Sequence, residues 1–132
     1  MLKANILITF VMLFGMIYSL PASAKFPLNK ETQLSKEEAI AIFSDRIRTC
    51  VPDRREFIMK FYADGKLEAR NNNSSDNGKW SVENDGRVSV IYNGSWKNWN
   101  RVFYKNPGNQ NEIGYRGTRS GTFYTCTMTL MK

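Results

Sequence analysis

The segment Trp96-Lys97-Asn98-Trp99-Asn100-Arg101 concentrates the side chains best suited to bind a ligand. Indole faces stack on sugars or bases, amides bond hydroxyl groups, and cations hold anionic groups. We therefore predict that Trp96, Lys97, Trp99 and Arg101 contact a ligand. The alternative is that one or both indoles pack in the core, because large aromatic side chains are usually buried.

The chain is basic, with a net charge of +7. Two further arginine groups add to this charge, one around Cys50 and one near the C-terminal end: Arg46, Arg48, Arg54 and Arg55, and Arg116 and Arg119. Such an excess favours anionic partners, namely an anionic glycan, a lipid headgroup or an acidic protein. The simpler alternative is that the charge serves solubility alone. Chain order does not tell whether the basic groups share a face.

Residue types needed for common catalytic sites are missing. The chain contains no histidine, which removes Ser-His-Asp and Cys-His arrangements and argues against zinc catalysis. Glu83, Asp85 and Glu112 show no sign of a facing carboxylate pair. The polar run 71–77 has a single carboxylate, Asp76, which is too few for a calcium loop. We predict no enzyme activity, no catalytic residue, no metal and no cofactor.

Cys50 and Cys126 are the two cysteines of the chain, so one disulfide connectivity is possible. They lack the C-x-x-C spacing of redox sites and have no histidine to complete a metal site. A structural disulfide is therefore predicted. The bond would close a loop with a sequence separation of 76. In the chain-entropy description, closing such a loop stabilises the folded protein by about 4.5 kcal/mol.

The first 24 residues have the pattern of a secretory signal peptide. Lys3 precedes an apolar run over residues 6–20, and Pro21 is followed by the small residues 22–24. The run is shorter than the about 20 residues that a transmembrane helix needs. We predict cleavage after Ala24 and a single exported domain over residues 25–132, periplasmic or secreted and not integral to the membrane. Such compartments are oxidising, which suits the disulfide.

A single helix is predicted over about residues 35–48. Ser35 and Glu38 have the spacing of a capping box, and Ala39, Phe43 and Ile47 recur with helical period. The helix is expected to end before Pro52, because the residue before a proline avoids the helical region.

From about residue 55 to residue 131 the hydrophobic period becomes two, which is typical of strands. Asp64-Gly65 and Asp85-Gly86 are typical of tight hairpin turns, since both residue types tolerate positive φ. Seven short strands after one helix predict a mainly β fold. The expected architecture is a small antiparallel meander that closes to a barrel or sandwich, lipocalin-like or related.

This region contains three recognisable turn and strand motifs. They are an aromatic-x-x-Asp-Gly hairpin, a Gly-x-Trp-x-Val strand and an Arg-Val-aromatic strand, at residues 61–66, 78–82 and 101–104. Over about residues 34–105 the chain resembles a family of short exported bacterial proteins, catalogued as a domain of unknown function. The family's two cysteines would fall near Ser89 and Asn100, so these positions are not shared. The resemblance implies export and a β-rich fold, and it implies no activity.

These observations predict a monomeric, exported bacterial binding module for an anionic component of the cell envelope. One alternative is a secreted protein that inhibits a host or competitor enzyme by plugging its cleft. Another is a structural envelope protein without a discrete ligand. Nucleic acid suits the charge and the aromatic residues but not the expected compartment.

Overall fold

A computed structural model describes residues 26–52 and 57–131 of the chain. The predicted signal peptide, residues 1–24, lies outside these ranges, as do Arg54 and Arg55 of the second basic group. One helix and nine strands occur in the described residues: α1 (Lys36–Phe43), β1 (Arg46–Val51), β2 (Ile58–Phe61), β3 (Lys66–Arg70), β4 (Ser75–Val82), β5 (Val88–Tyr92), β6 (Trp99–Arg101), β7 (Tyr104–Asn106), β8 (Asn109–Arg116) and β9 (Phe123–Leu130).

The nine strands form one sheet in the order β6-β5-β4-β3-β2-β1-β9-β8-β7. Every neighbouring pair in this order is antiparallel. The prediction of a mainly β fold with one N-terminal helix and an antiparallel meander is therefore confirmed for the described residues.

The sheet is strongly curled because its two end strands are consecutive in the chain. Laid flat, nine strands would span about 38 Å. β6 ends at Arg101 and β7 begins at Tyr104, and three Cα–Cα steps cover at most about 11 Å. The two edges must therefore lie close together, and the sheet takes the shape of a half-barrel.

Two differences explain why nine strands are present where seven were predicted. The predicted helix extended to about residue 48, but Arg46–Val51 forms β1. The strand expected at residues 101–104 is divided into β6 and β7, with Val102 and Phe103 between them. Phe103 is fully buried, so the chain turns at this point to bring its ring into the core.

The helix begins as predicted and ends five residues earlier than predicted. The capping box is present: the Ser35 hydroxyl accepts from the Glu38 N–H at 3.1 Å, and the Glu38 carboxylate accepts from the Ser35 N–H at 2.9 Å. The helix ends at Phe43, and Asp45 has a φ of 57°, which turns the chain into β1. The Asp45 carboxylate accepts from the Ala63 N–H at 2.8 Å, and this bond holds the turn in place.

Helix α1 closes one end of the half-barrel. The Phe43 ring is fully buried and packs on Phe61 and Phe103, with ring centroids 4.9 and 5.1 Å apart. Trp80 lies next to this group, 6.2 Å from Phe43, and its indole N–H donates to the Tyr62 carbonyl at 2.7 Å. Aromatic packing of this kind fills the half-barrel from the helix end to its middle.

The segment before the helix covers the outer edge of β7. Gln33 forms an isolated antiparallel bridge with Tyr104. The Leu34 N–H donates to the Phe103 carbonyl at 2.9 Å, and the Lys105 N–H donates to the Thr32 carbonyl at 2.7 Å.

The disulfide between Cys50 and Cys126 is present, so this prediction is confirmed. The two residues are directly opposite each other on β1 and β9, and the bond closes a loop with a sequence separation of 76. A disulfide is compatible with an oxidising, exported location.

Candidate functional site

A cavity of about 960 Å³ lies inside the curl of the sheet, at the end opposite α1. Its mouth is formed by residues at the turns that follow β1, β3, β5 and β8. Six aromatic residues line it: Phe57, Tyr92, Trp96, Trp99, Tyr115 and Tyr124. Four cationic residues line it as well: Arg48, Lys97, Arg101 and Arg119. We call this feature the aromatic cavity.

All four residues predicted to bind a ligand line the aromatic cavity. Lys97 is exposed, whereas Trp96, Trp99 and Arg101 are partly buried. Both indoles also pack against the hydrophobic core. Each indole therefore packs on the core and also lines the cavity, and ligand contact stays a prediction.

Trp96 belongs to a group of three touching rings. Its ring centroid lies 5.5 Å from that of Phe57 and 5.5 Å from that of Tyr92. The Trp99 indole N–H donates to the Tyr92 hydroxyl at 3.3 Å, which joins Trp99 to the same group. These contacts make one side of the cavity a continuous aromatic surface.

Arg101 is held between two aromatic rings. Its guanidinium carbon lies 4.4 Å from the ring centroid of Tyr115 and 5.1 Å from that of Trp99. Cation–π contacts of this kind stabilise a guanidinium while leaving its N–H edge able to donate. Tyr115 in turn stacks on Tyr124 with a centroid distance of 4.8 Å.

Arg48 lies at the floor of the cavity. It projects from β1, is 2% exposed, and has five ring centroids within 5.5–6.0 Å of its guanidinium carbon. Its Nη2 donates to the Met59 sulfur at 3.2 Å. The fully buried rings of Phe61 and Phe103 lie on its inner side, so the cavity ends here against the core.

Burial raises the pKa of the Tyr92 phenol above its ordinary value. The side chain is 8% exposed, and removal of water disfavours the phenolate. The phenol is therefore neutral at physiological pH and adds no negative charge to the cavity.

The loop that carries Trp96 is held by Asp76 of β4. The Asp76 carboxylate accepts from the Gly94 N–H and the Trp96 N–H, both at 3.0 Å. The Asn98 side chain adds a bond from the same loop, accepting from the Tyr92 N–H at 2.8 Å. Asp76 positions the loop, a role that the sequence did not reveal because the partners lie about 20 residues away.

The salt bridges of the described residues lie away from the cavity. They join Lys66 to Asp64, Arg87 to Asp85 and Lys105 to Glu38. Within residues 26–52 and 57–131, none of these bridges includes Lys97, Arg101 or Arg119, and no carboxylate lines the cavity. The described lining therefore contributes four cationic side chains and no carboxylate.

The three basic groups of the sequence each contribute to the cavity. The first contributes Lys97 and Arg101, the second Arg48 and the third Arg119. Arg116 is directed elsewhere: its guanidinium donates to the Gly121 carbonyl at 2.8 Å and lies 5.9 Å from the Phe123 ring. The part played by Arg48 and Arg119 could not be found from the sequence, since it depends on how β1, β8 and β9 are paired.

Comparison of the sequence with protein-family models and with curated proteins found no match. The resemblance of residues 34–105 to a family of exported proteins thus stays a prediction. In the described part of the chain, no helix combines the length and the apolar character needed to cross a membrane.

Proposed function

We propose that the protein is an exported binding module that holds an anionic component of the cell envelope in the aromatic cavity. The observation that carries this proposal is the convergence of four cations from separate segments on one concave, aromatic surface. A cavity of about 960 Å³ is at the upper end of the range for small-ligand sites.

Export is part of the proposal and is supported by two features of the chain. The leader over residues 1–24 has the signal-peptide pattern. The disulfide is compatible with an environment in which thiols are oxidised, such as the periplasm or the extracellular space.

The shape of the site favours a small ligand or headgroup over an enzyme partner. An inhibitor that plugs a cleft presents a convex loop to its target. Here Trp96 and Trp99 line a concave surface instead. A structural role without a ligand would leave the convergence of aromatic rings and cations without a physical reason.

Two double variants, each with two cations removed, test this function through their binding of envelope components. Lys97→Gln with Arg101→Gln removes two cations from the cavity. Lys79→Gln with Arg70→Gln removes two exposed cations outside it, so both variants have the same net charge. Binding is measured against acidic glycan fragments and against anionic-lipid vesicles, which distinguish the two sources of ligand.

We expect affinity for one of these ligands to fall with rising salt, because partly exposed charge contacts are screened. The cavity variant should lose at least about tenfold in affinity, as expected for charged hydrogen bonds, whereas the control variant stays within about threefold of the wild type. Binding that ignores ionic strength, or that both variants reduce equally, would contradict the proposal.

A further inference from the structure

The aromatic rings that line the cavity form a continuous surface, and Arg101 connects its two sides. Phe57, Trp96 and Tyr92 touch in sequence, and Tyr92 is bonded to Trp99. Arg101 then connects Trp99 to the rings on the other side of the cavity. A ligand in contact with these rings therefore lies beside the Arg101 guanidinium.

The rings on the other side come from β8 and β9. Tyr115 and Tyr124 stack with an interplanar angle of 11°, and the Arg101 guanidinium lies against Tyr115. The guanidinium is thereby oriented by the protein before any ligand arrives. A pre-oriented planar fork is suited to a carboxylate, which it can bind through two parallel N–H···O bonds.

The apolar part of the lining is flat. Among the described residues that line the cavity there is no Leu, Ile, Val or Met. Flexible alkyl chains are usually packed by such aliphatic side chains, whereas aromatic faces pack best on other ring faces. The composition therefore favours a ring over a chain as the body of the ligand.

The cavity is closed at its inner end. Arg48 lies there against the fully buried core rings of Phe61 and Phe103. A polymer cannot pass through such a cavity, although the end of one can enter. The hydroxyl and amide groups of Asn71, Ser74 and Thr118 lie at its open side, where polar parts of a ligand would face.

We propose that the aromatic cavity takes a ring-bearing carboxylic acid, with the ring stacked on the aromatic lining and the carboxylate paired with Arg101. This inference rests on the proposed function and specifies its ligand. The acid can be aromatic or a sugar acid at the end of a glycan, since both present a carboxylate next to a ring.

Matched pairs of acids and neutral analogues test the inference. The probes are 2-naphthoate against 2-naphthamide, and galacturonate against galactose, with dodecanoate as the acid that has a chain in place of a ring. Binding to the disulfide-bonded protein is followed by tryptophan fluorescence and by chemical shifts of the two cavity indoles, Trp96 and Trp99. The first pair reports an aromatic source and the second a saccharide source.

We expect at least one ring acid to bind about tenfold or more tightly than its neutral analogue and than dodecanoate, as is ordinary for a hydrogen bond to a charged group. Arg101→Gln should remove the preference for the acid while changing affinity for the neutral analogue by less than about threefold. Arg101→Lys keeps the charge without the fork and should retain part of the preference. Arg70→Gln, on the outer face of β3, is the matched control.

Equal affinity for acid and neutral analogue, tighter binding of dodecanoate, or an unchanged preference in Arg101→Gln would overturn this inference. The proposed function would survive if anionic glycans or vesicles still bound through the cavity cations. It would fail separately if no anionic ligand bound at all. Thermal unfolding of each variant establishes that it is folded. If Arg101→Gln is not folded, the inference is tested by Arg101→Lys alone, whose preference for the acid should be smaller than that of the wild type.

Discussion

At the scale of single residues, the cavity is organised by aromatic faces placed next to cations. Arg101 lies between Trp99 and Tyr115, and Arg48 lies among five rings. Aromatic faces are weakly negative and stabilise a cation that lies over them. The neutral phenol of Tyr92 preserves this balance, since a phenolate there would attract the cations and repel an anionic ligand.

Tyr92→Phe should flatten the alkaline part of the stability profile. Burial raises the pKa of Tyr92, so the folded protein holds this proton more tightly than the unfolded chain. The corresponding stability is present below the ordinary tyrosine pKa of about 10 and is lost as pH rises through the raised value. The free energy of unfolding in urea, measured from pH 7 to pH 11, checks this.

The difference in the free energy of unfolding between the wild type and Tyr92→Phe should be constant from pH 7 to pH 9. Above pH 10 the wild type should lose more stability than the variant. Thiol exchange does not complicate the alkaline range, because the described residues contain no free cysteine. Parallel profiles through pH 11 would show that burial of Tyr92 has no such effect.

Part of the cavity lining could be recognised from the sequence at this scale. Trp96, Lys97, Trp99 and Arg101 could be recognised because they fall within six residues, and their types alone suggested stacking on an anionic ligand. Tyr115 and Tyr124 could not be recognised, since alternation along a strand does not tell which face of a curled sheet surrounds a cavity.

At the scale of elements, the loop between β5 and β6 depends on a neighbouring strand for its shape. Asp76 of β4 accepts from backbone groups of that loop, and Asn98 fixes the loop from within. The Trp96 indole is therefore positioned by hydrogen bonds as well as by ring packing. The carboxylate that seemed too isolated for calcium binding has this role instead.

Asp76→Ala should weaken ligand binding by about tenfold without unfolding the protein. The change removes acceptors for the Gly94 and Trp96 N–H groups, and loss of such bonds costs about 1–3 kcal/mol. Amide chemical shifts of the loop and affinity for the ring acid are measured together. Asp64→Ala is the control, because Asp64 accepts from the Lys66 N–H in the turn between β2 and β3, which does not line the cavity.

Affinity that stays at the wild-type level in Asp76→Ala, with the loop shifts altered, would show that the loop need not be held for binding. Unchanged loop shifts would show that Asp76 does not position it.

The helix illustrates what local patterns leave open at this scale. The capping box predicted its first residue because the pattern is contained within four positions. The predicted end of the helix was wrong because Ile47 fits the hydrophobic pattern of either a helix or a strand. Pairing of β1 with both β2 and β9 decided the outcome, and such long-range pairing is not visible in a local period.

At the scale of the whole molecule, the disulfide joins the two runs of strands that make up the sheet. β1 belongs to the run of strands from β1 to β6, and β9 ends the run from β7 to β9. The Cys50–Cys126 bond lies between these two interior strands, and Cys50 also lines the cavity. The pairing could be predicted because the chain has two cysteines, whereas its position between two interior strands of the sheet could not.

Replacing both cysteines by alanine should lower the free energy of unfolding by about 4 kcal/mol. The bond closes a loop with a sequence separation of 76, and its loss restores the corresponding entropy to the unfolded chain. Urea unfolding of the double variant is compared with that of the wild type in reductant, which serves as an independent route to the same open chain. A change below about 1 kcal/mol by both routes would contradict the prediction.

The consecutive order of β6 and β7 has a consequence for behaviour in concentrated solution. Exposed strand edges are templates on which further molecules add strands and grow into fibrils. Here the two edge strands have three residues each and face one another across a short link, and Gln33 already occupies part of the edge of β7. In the described ranges, the sheet therefore offers an incoming molecule no long open edge on which to begin aggregation.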